Sequence, residues 1–211
     1  AAGIIRSWDH SRDKWDGPVI IDNIMNLELL FWAFRTIDDS LFYNVAVNHA
    51  RTTMKNHFRD DYSSYHVVDY DTITGAVLHK HTHQGYAHES AWSRGQAWGL
   101  YGYTVCYRET GLPEFLEQAK HIENYIFSSP TLPEAHVPYW DFNAPRIPNE
   151  PRDASAATVT SSALYELSMY DPAIRQEYIT KANTILENLS ANCRAAAGIA
   201  SGFLLLHSTG W

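Results

Sequence analysis

Asn23-Ile24-Met25-Asn26-Leu27-Glu28-Leu29-Leu30-Phe31-Trp32-Ala33-Phe34 is the stretch that decides the fold. After Asn23 it is apolar on nearly every side except at Asn26 and Glu28, the pattern of a helix buried all round. Asp38-Asp39-Ser40 follows as a cap. Phe42, Val45, Ala46, His49, Ala50, Thr53 and Met54 then recur at helical spacing with polar residues between. An internal helix is thus coupled to an amphipathic one.

The couplet returns twice. Ala91 to Tyr107 is rich in Trp, Tyr, Val and Leu with hardly a charge beyond Arg94. After the Thr110-Gly111-Leu112-Pro113 break comes a stripe of Phe115, Leu116, Ala119, Ile122 and Ile126. The small-residue run from Ala154 to Met169 is followed, past Asp171-Pro172, by Ile174, Tyr178, Ile179, Ala182, Ile185, Leu186 and Leu189. Inner-helix starts near Asn23, Ala91 and Ala154 lie 68 and 63 residues apart, so the chain is a series of similar helical hairpins. Such units bury their faces by stacking on neighbours, which predicts an all-α fold of the α/α toroid type. The expectation is a single domain over residues 1–211, a partial barrel of about three hairpins. A closed ring of about six would need roughly twice this length.

Composition narrows the function. An apolar fraction of 45% and a charged fraction of 19% describe an ordinary globular protein. The net charge of −8 argues against nucleic acid, because a phosphate backbone needs a basic face. The 7 Trp, 13 Tyr and 8 Phe suit a groove for a ring-shaped ligand. Cys106 and Cys193 sit in apolar helical patterns at no metal-ligand spacing and read as buried free thiols. No run of 18 apolar residues exists, so no membrane span is expected, and Ala1 to Asp9 lacks a signal-peptide layout.

The inner helices are reached through long aromatic, His-rich segments, Phe58 to Ser90 and Ser128 to Asp153, whereas inner-to-outer links are short. Long loops of this kind are usually functional. In the first, Tyr65 to Asp69 and Ala76 to Leu78 flank Asp71 to Gly75 like a small hairpin. These loops collect at one end, where inner-helix N-termini converge and their dipoles favour an anion.

His83-Gln84-Gly85-Tyr86, running into Trp92-Ser93-Arg94-Gly95-Gln96-Ala97-Trp98, combines indoles, a guanidinium and amides at such a mouth. Aromatic faces stack on sugar C–H faces, while Arg forks and Gln amides bind hydroxyls and carboxylates, so the combination suits a carbohydrate site. Arg94 is the lone positive charge of its helix and is either paired, with Glu89 for example, or turned to a ligand carboxylate. Trp92 and Trp98 are six residues apart and need not share a face; one suits the core and the other a stacking platform. Asp22, after the apolar run Pro18 to Ile21, is either a helix N-cap or a general acid whose pKa apolar surroundings raise. His66, His79, His81, His83 and His88 crowd one region, with His79, His81 and His83 on one face of a strand. No Cys, HExxH or HxxEH pattern accompanies them, so sugar hydrogen bonding is expected rather than a metal. Asp153 or Ser155 caps the third inner helix, with Arg152 paired.

Pro18 to Leu27, Tyr65 to Asp71, Thr82 to Tyr86, Ala91 to Trp98 and Arg152 to Ala157 together resemble glycoside hydrolase family 88, the unsaturated glucuronyl hydrolases. The resemblance runs in order over almost the whole chain. It implies an (α/α)6 barrel that removes the non-reducing Δ4,5-unsaturated glucuronic acid from oligosaccharides left by polysaccharide lyases, of the glycosaminoglycan type. The implied chemistry is hydration of the C4=C5 double bond by an Asp acid and base, with no metal or cofactor. By resemblance Asp22 is that residue, and His66, Gln84, Trp92, Arg94 and Trp98 are substrate-binding, with Trp8 as a further stacking wall. A bacterial setting, in cytoplasm or periplasm, is implied as well.

The family also has a second conserved Asp in an upstream hairpin, and later substrate contacts, that this sequence does not contain. A middle-to-late portion of a longer enzyme is therefore expected, with a broad apolar face left by the incomplete ring. The rival readings are an unsaturated rhamnogalacturonyl hydrolase of the same fold and a non-catalytic sugar-binding helical scaffold.

Overall fold

The computed structural model describes residues 3–11, 13–198 and 202–209. In chain order it runs β1 (Pro18–Ile20), α1 (Asn23–Ile37), α2 (Ser40–Asn56), β2 (Val67–Tyr70), β3 (Val77–His81), α3 (Ser93–Thr110), α4 (Pro113–Ser128), α5 (Ala154–Leu167) and α6 (Arg175–Asn192). The predicted hairpins are α1/α2, α3/α4 and α5/α6, with the second inner helix starting two residues later than its pattern suggests. The capping chemistry sets their limits. Asp39 accepts the Leu41 N–H at 2.9 Å to start α2. Gly111, at φ +66°, ends α3 in the left-handed region, and Pro113 opens α4 where no N–H is needed.

The inner helices α1, α3 and α5 pack side by side, and each outer helix packs on its own inner partner, which is the arc of an α/α toroid. The core threads all three hairpins, through Ile24, Leu27 and Phe31 of α1, Leu100, Tyr103 and Cys106 of α3, and Leu164 and Leu167 of α5. Gly102 lets α1 and α3 approach closely: a Cβ there would stand 2.4 Å from Ile24 Cγ2 and 2.9 Å from its backbone carbon. Arg108, near the end of α3, donates to Glu166, near the end of α5, at 2.9 and 3.0 Å and to Glu28 of α1, so one side chain laces three helices. Cys106 and Cys193 are free and buried. No helix among the described residues is long and apolar enough to cross a membrane.

The expectation that α1 is buried all round is corrected. Leu29 is 65% exposed and Trp32 53% exposed, while α3 is enclosed along most of its length. The reason is positional: α3 lies between α1 and α5, whereas α1 has an inner neighbour on one flank only among the described residues.

The predicted hairpin is present as β2 and β3, with Gly75 at φ +79° in its turn. Pro18-Val19-Ile20, read from sequence only as an apolar run, adds a third strand, giving the order β1-β2-β3 with antiparallel pairing throughout. The register sets Ile20 against Val67, and the Ile21 N–H donates to the His66 carbonyl at 2.9 Å, one step beyond the strands. The fully buried His57 ring, which burial holds neutral, bonds the Val19 carbonyl through Nε2 at 3.0 Å and fixes β1 from beneath.

Candidate active site at the mouth of the inner helices

Asp22 stands where β1 hands over to α1. It is not a side-chain cap: its backbone is already helical and its carboxylate makes no capping hydrogen bond. Its Oδ2 is buried and has no hydrogen-bond partner among the described residues. Burial raises the Asp22 pKa to about 6, and its own backbone N–H and the charge of Arg94 pull it back only in part. Desolvation therefore outweighs the backbone hydrogen bond and the guanidinium charge together.

The sheet register brings His66 to Asp22, with Nε2 3.8 Å from Oδ2. The imidazole is neutral, since burial pushes its pKa down to about 3, with the positive charge of Arg94 acting in the same direction. Its tautomer follows from its partners. Nδ1 accepts the backbone N–H groups of His83 at 3.0 Å and Gln84 at 3.1 Å, so the ring proton resides on Nε2, facing the acid. His66 thus also anchors the loop that carries Gln84. Asp141, fully buried in the connection between α4 and α5, holds the same loop from the other side. Its Oδ2 accepts the Tyr86 N–H at 2.9 Å and the Ser90 hydroxyl at 2.6 Å, and its Oδ1 accepts the Asn143 N–H at 2.8 Å.

Arg94 is paired across the inner-helix boundary rather than with Glu89. Its Nη1 donates to Asp153 Oδ2, Ser155 Oγ and the Thr209 carbonyl, each at 3.0 Å, and Nη2 reaches the same carbonyl at 3.0 Å. Glu89 instead accepts from Tyr65 Oη at 2.9 Å and Arg59 Nε at 3.4 Å. Asp153 does cap α5, accepting the N–H groups of Ser155 and Ala156, and so joins the cap to the guanidinium. Arg152 donates to the Val137 carbonyl at 3.0 Å and lies 3.8 Å over the Tyr139 ring.

The two indoles divide as core and partly open surface. Trp92 is 3% exposed, its ring 4.5 Å from the His66 ring and 4.7 Å from the Arg94 guanidinium, so it spaces the two polar groups. Trp98, one turn beyond Arg94 on α3, is partly exposed and stands edge-on to Tyr101 at 6.1 Å. Gln96, from the same motif, is wholly buried: it donates to the Tyr62 carbonyl at 2.7 Å and accepts the Ser64 N–H at 2.9 Å.

Gln84, Trp92 and Arg94 share a cavity of about 380 Å³ with Trp140, Arg146 and Glu150. Asp22, His66 and Trp98 are not among its lining residues; the His66 ring meets it only through its contact with the Trp92 ring. Trp8 packs on Trp15 and His83 at 5.7 and 6.5 Å. Of the crowded histidines, His79, His81 and His88 form an edge-to-face run, and His83 lies past the end of β3. No group of three or more His, Cys, Asp or Glu side chains converges as a metal set among the described residues.

No family model matches the chain. Over 207 residues, 98% of its length, it is 49% identical to an unsaturated glucuronyl hydrolase of Formosa agariphila, of which it spans 51%. A crystal structure of an unsaturated glucuronyl hydrolase specific for heparin matches 99% of the chain with a TM-score of 0.95 and 50% identity, and the match spans 56% of that chain. A mutant unsaturated glucuronyl hydrolase from Streptococcus agalactiae, complexed with dGlcA-GalNAc6S, matches 90% with a TM-score of 0.78 and 35% identity, spanning 50% of that chain. These likenesses place the chain in the α/α-toroid class. Within that class it is homologous to the unsaturated glucuronyl hydrolases, and it spans about half the length of the relatives it matches.

Proposed function

We propose that this chain, as one continuous partial barrel, carries the acid–base side of an unsaturated glucuronyl hydrolase. Its substrate is the non-reducing Δ4,5-unsaturated glucuronic acid of lyase-generated, glycosaminoglycan-type oligosaccharides. The observation that carries the reading is the Asp22 carboxyl: buried, raised to about 6, and with Oδ2 turned toward a neutral His66. A carboxyl so placed is protonated in a useful fraction near neutrality and can act as a general acid.

In the proposed reaction protonated Asp22 gives its proton to C4 of the C4=C5 enol ether, and positive charge develops at C5 beside the ring oxygen. The Asp22 carboxylate then takes a proton from water as the water oxygen bonds to C5. The resulting hemiketal opens and the glycosidic bond is lost, so water is consumed and Asp22 is regenerated. Protein groups and water supply each step as written. The names of the relatives favour glucuronyl over rhamnogalacturonyl substrates.

The test is the absorbance of the C4=C5 bond in the intact enzyme. Asp22→Asn is expected to abolish its decay on unsaturated glucuronyl disaccharides, by a factor on the order of 100 to 10,000. Near-normal decay in that variant overturns the assignment. Binding without any spectral change in the wild type supports the non-catalytic scaffold instead, and faster turnover of an unsaturated rhamnogalacturonan disaccharide supports the other hydrolase.

A further inference from the structure

The outward side of α4 carries a polar and aromatic stripe that the acid–base chemistry does not use. His121, Asn124, Tyr125 and Ser128 recur at i, i+3, i+4 and i+7, turned away from the core stripe of Phe115, Ala119, Ile122 and Ile126. With the segment between α2 and β2 and the connection between α4 and α5, they enclose a cavity of about 520 Å³. It shares no lining residue with the cavity of Gln84 and Arg94. Because α4 belongs to the middle of the three hairpins, both flanking hairpins are present.

The platform of this cavity is rigid. Tyr62 sits at φ +65°, in the left-handed region that a non-glycine residue seldom adopts. Gln96, wholly buried, holds it there: Nε2 donates to the Tyr62 carbonyl at 2.7 Å, and Oε1 accepts the Ser64 N–H at 2.9 Å. The Tyr62 ring lies flat on His121, with centroids 4.1 Å apart and planes 12° from parallel. A fixed aromatic face of this kind loses little freedom when a sugar ring stacks on it.

The polar groups around the platform are oriented but unspent. Asn143 Oδ1 accepts the Ala91 N–H at 3.0 Å, which fixes the amide and leaves its Nδ2 donors without a partner among the described residues. The Tyr125 ring stands edge-on to Phe142 at 5.6 Å, and burial, raising its pKa to about 12, keeps the hydroxyl a donor. Charge decides the class of ligand. Among the described residues no Lys or Arg lines the cavity and Asp61 contributes a carboxylate, so a uronate or a sulfate meets no guanidinium or ammonium there. Amide and hydroxyl donors beside an aromatic face suit the hydroxyl and acetamido groups of a neutral sugar.

We propose that this cavity is a second carbohydrate site, which takes a neutral pyranose of the N-acetylhexosamine type, stacked on Tyr62 and His121 and bound without being cleaved. Its volume is in the range of small-ligand sites. The site is separate from the acid–base reading above and does not depend on it.

Saturation-transfer NMR and calorimetry on the intact enzyme test this, with methyl N-acetyl-β-glucosaminide as the probe and sodium glucuronate as the charged comparison. Wild type is expected to bind the neutral sugar with a Kd on the order of 1 mM. His121→Ala and Asn124→Ala should each weaken it by about fivefold or more, while glucuronate binding and turnover of an unsaturated glucuronyl disaccharide stay unchanged. Both residues are exposed on α4, where alanine is a strong helix former, so both variants are expected to fold. Neutral-sugar affinity equal to wild type in both variants, or no binding by wild type, overturns the site. Glucuronate binding that falls in parallel overturns the preference for a neutral ligand, and a fall in turnover overturns the separation from the acid–base site.

Discussion

The Oδ2 atom of Asp22 and the Nε2 atom of His66 face one another across 3.8 Å, both buried and neither hydrogen-bonded among the described residues. The relationship is not an ion pair. Burial holds the carboxyl up, at about 6, and the imidazole down, at about 3, so between those values both groups are mainly neutral. A donor N–H aimed at a carboxyl from beyond hydrogen-bonding distance adds field without fixing the proton, as the proposed role of Asp22 requires.

The activity of the intact enzyme is expected to fall on the alkaline side of about pH 6, as Asp22 loses the proton the first step needs. The profile of kcat/KM, followed by the loss of C4=C5 absorbance, checks this.

Stability should depend on pH through the same residue. The folded pKa of Asp22 lies above its ordinary value of 3.8, so the folded state binds more protons and stability is lost as pH rises from about 4 through about 6. Asp22→Asn removes that loss. The variant should gain on wild type across this window, approaching about 3 kcal/mol above it. His66 and His57, depressed to about 3, and His49, depressed to about 4, act in the opposite sense, costing stability as pH falls below 6.5, so wild type alone should lose stability on acidification. Urea unfolding of both proteins at pH 4, 6 and 8 resolves the two.

His66→Ala strands two backbone donors, those of His83 and Gln84, and should cost about 2–4 kcal/mol. Asn places an oxygen close to the former Nδ1, so His66→Asn should recover much of that loss while removing the donor that faces Asp22. Denaturant midpoints, with the pH profile of activity as second readout, distinguish anchoring from tuning.

Arg94 and Asp153 form a pair with side chains 16% and 0% exposed. Removing either partner alone should cost about 3–5 kcal/mol, because the survivor is left charged in a poor solvent. Arg94→Met with Asp153→Asn should cost less than the sum of the two single changes. A double-mutant cycle by chemical denaturation measures the coupling.

Gly102→Ala should destabilise by about 1–3 kcal/mol, since the new methyl overlaps Ile24 at the α1–α3 contact. The contact lies in the first turn of α1, two residues from Asp22, and a fall of several degrees in Tm by calorimetry is the expected outcome.

The helical hairpins were legible because a buried face repeats at 3.6 residues wherever it occurs, and because Asp39, Gly111 and Pro113 punctuate it with local chemistry. The exposed flank of α1 was not, since an apolar side chain carries no mark of whether a neighbour covers it. Glu89 was the near partner for Arg94, yet the true one is 59 residues away. A signal for it exists: Arg94 opens the second inner helix and Asp153 precedes the third, so successive repeats set them at one level. Trp92 shows the reverse difficulty, an indole in a sugar-binding pattern whose ring is spent on His66 and Arg94. Contacts of Asp141, Glu150 and Arg146 join irregular segments, where no periodicity points to a partner.

The short sheet has an evolutionary corollary. In antiparallel strands, partners are matched by the sum of their positions, so Asp22 meets His66 only while the segments from Pro18 and up to Tyr70 keep a fixed combined length. One residue gained or lost between Ile20 and Asp22 turns the carboxyl away from the imidazole, with every helix left intact. Helices and outer loops are free to drift in homologues, but insertions and deletions in this junction should be the mark of a chain that has given up its chemistry.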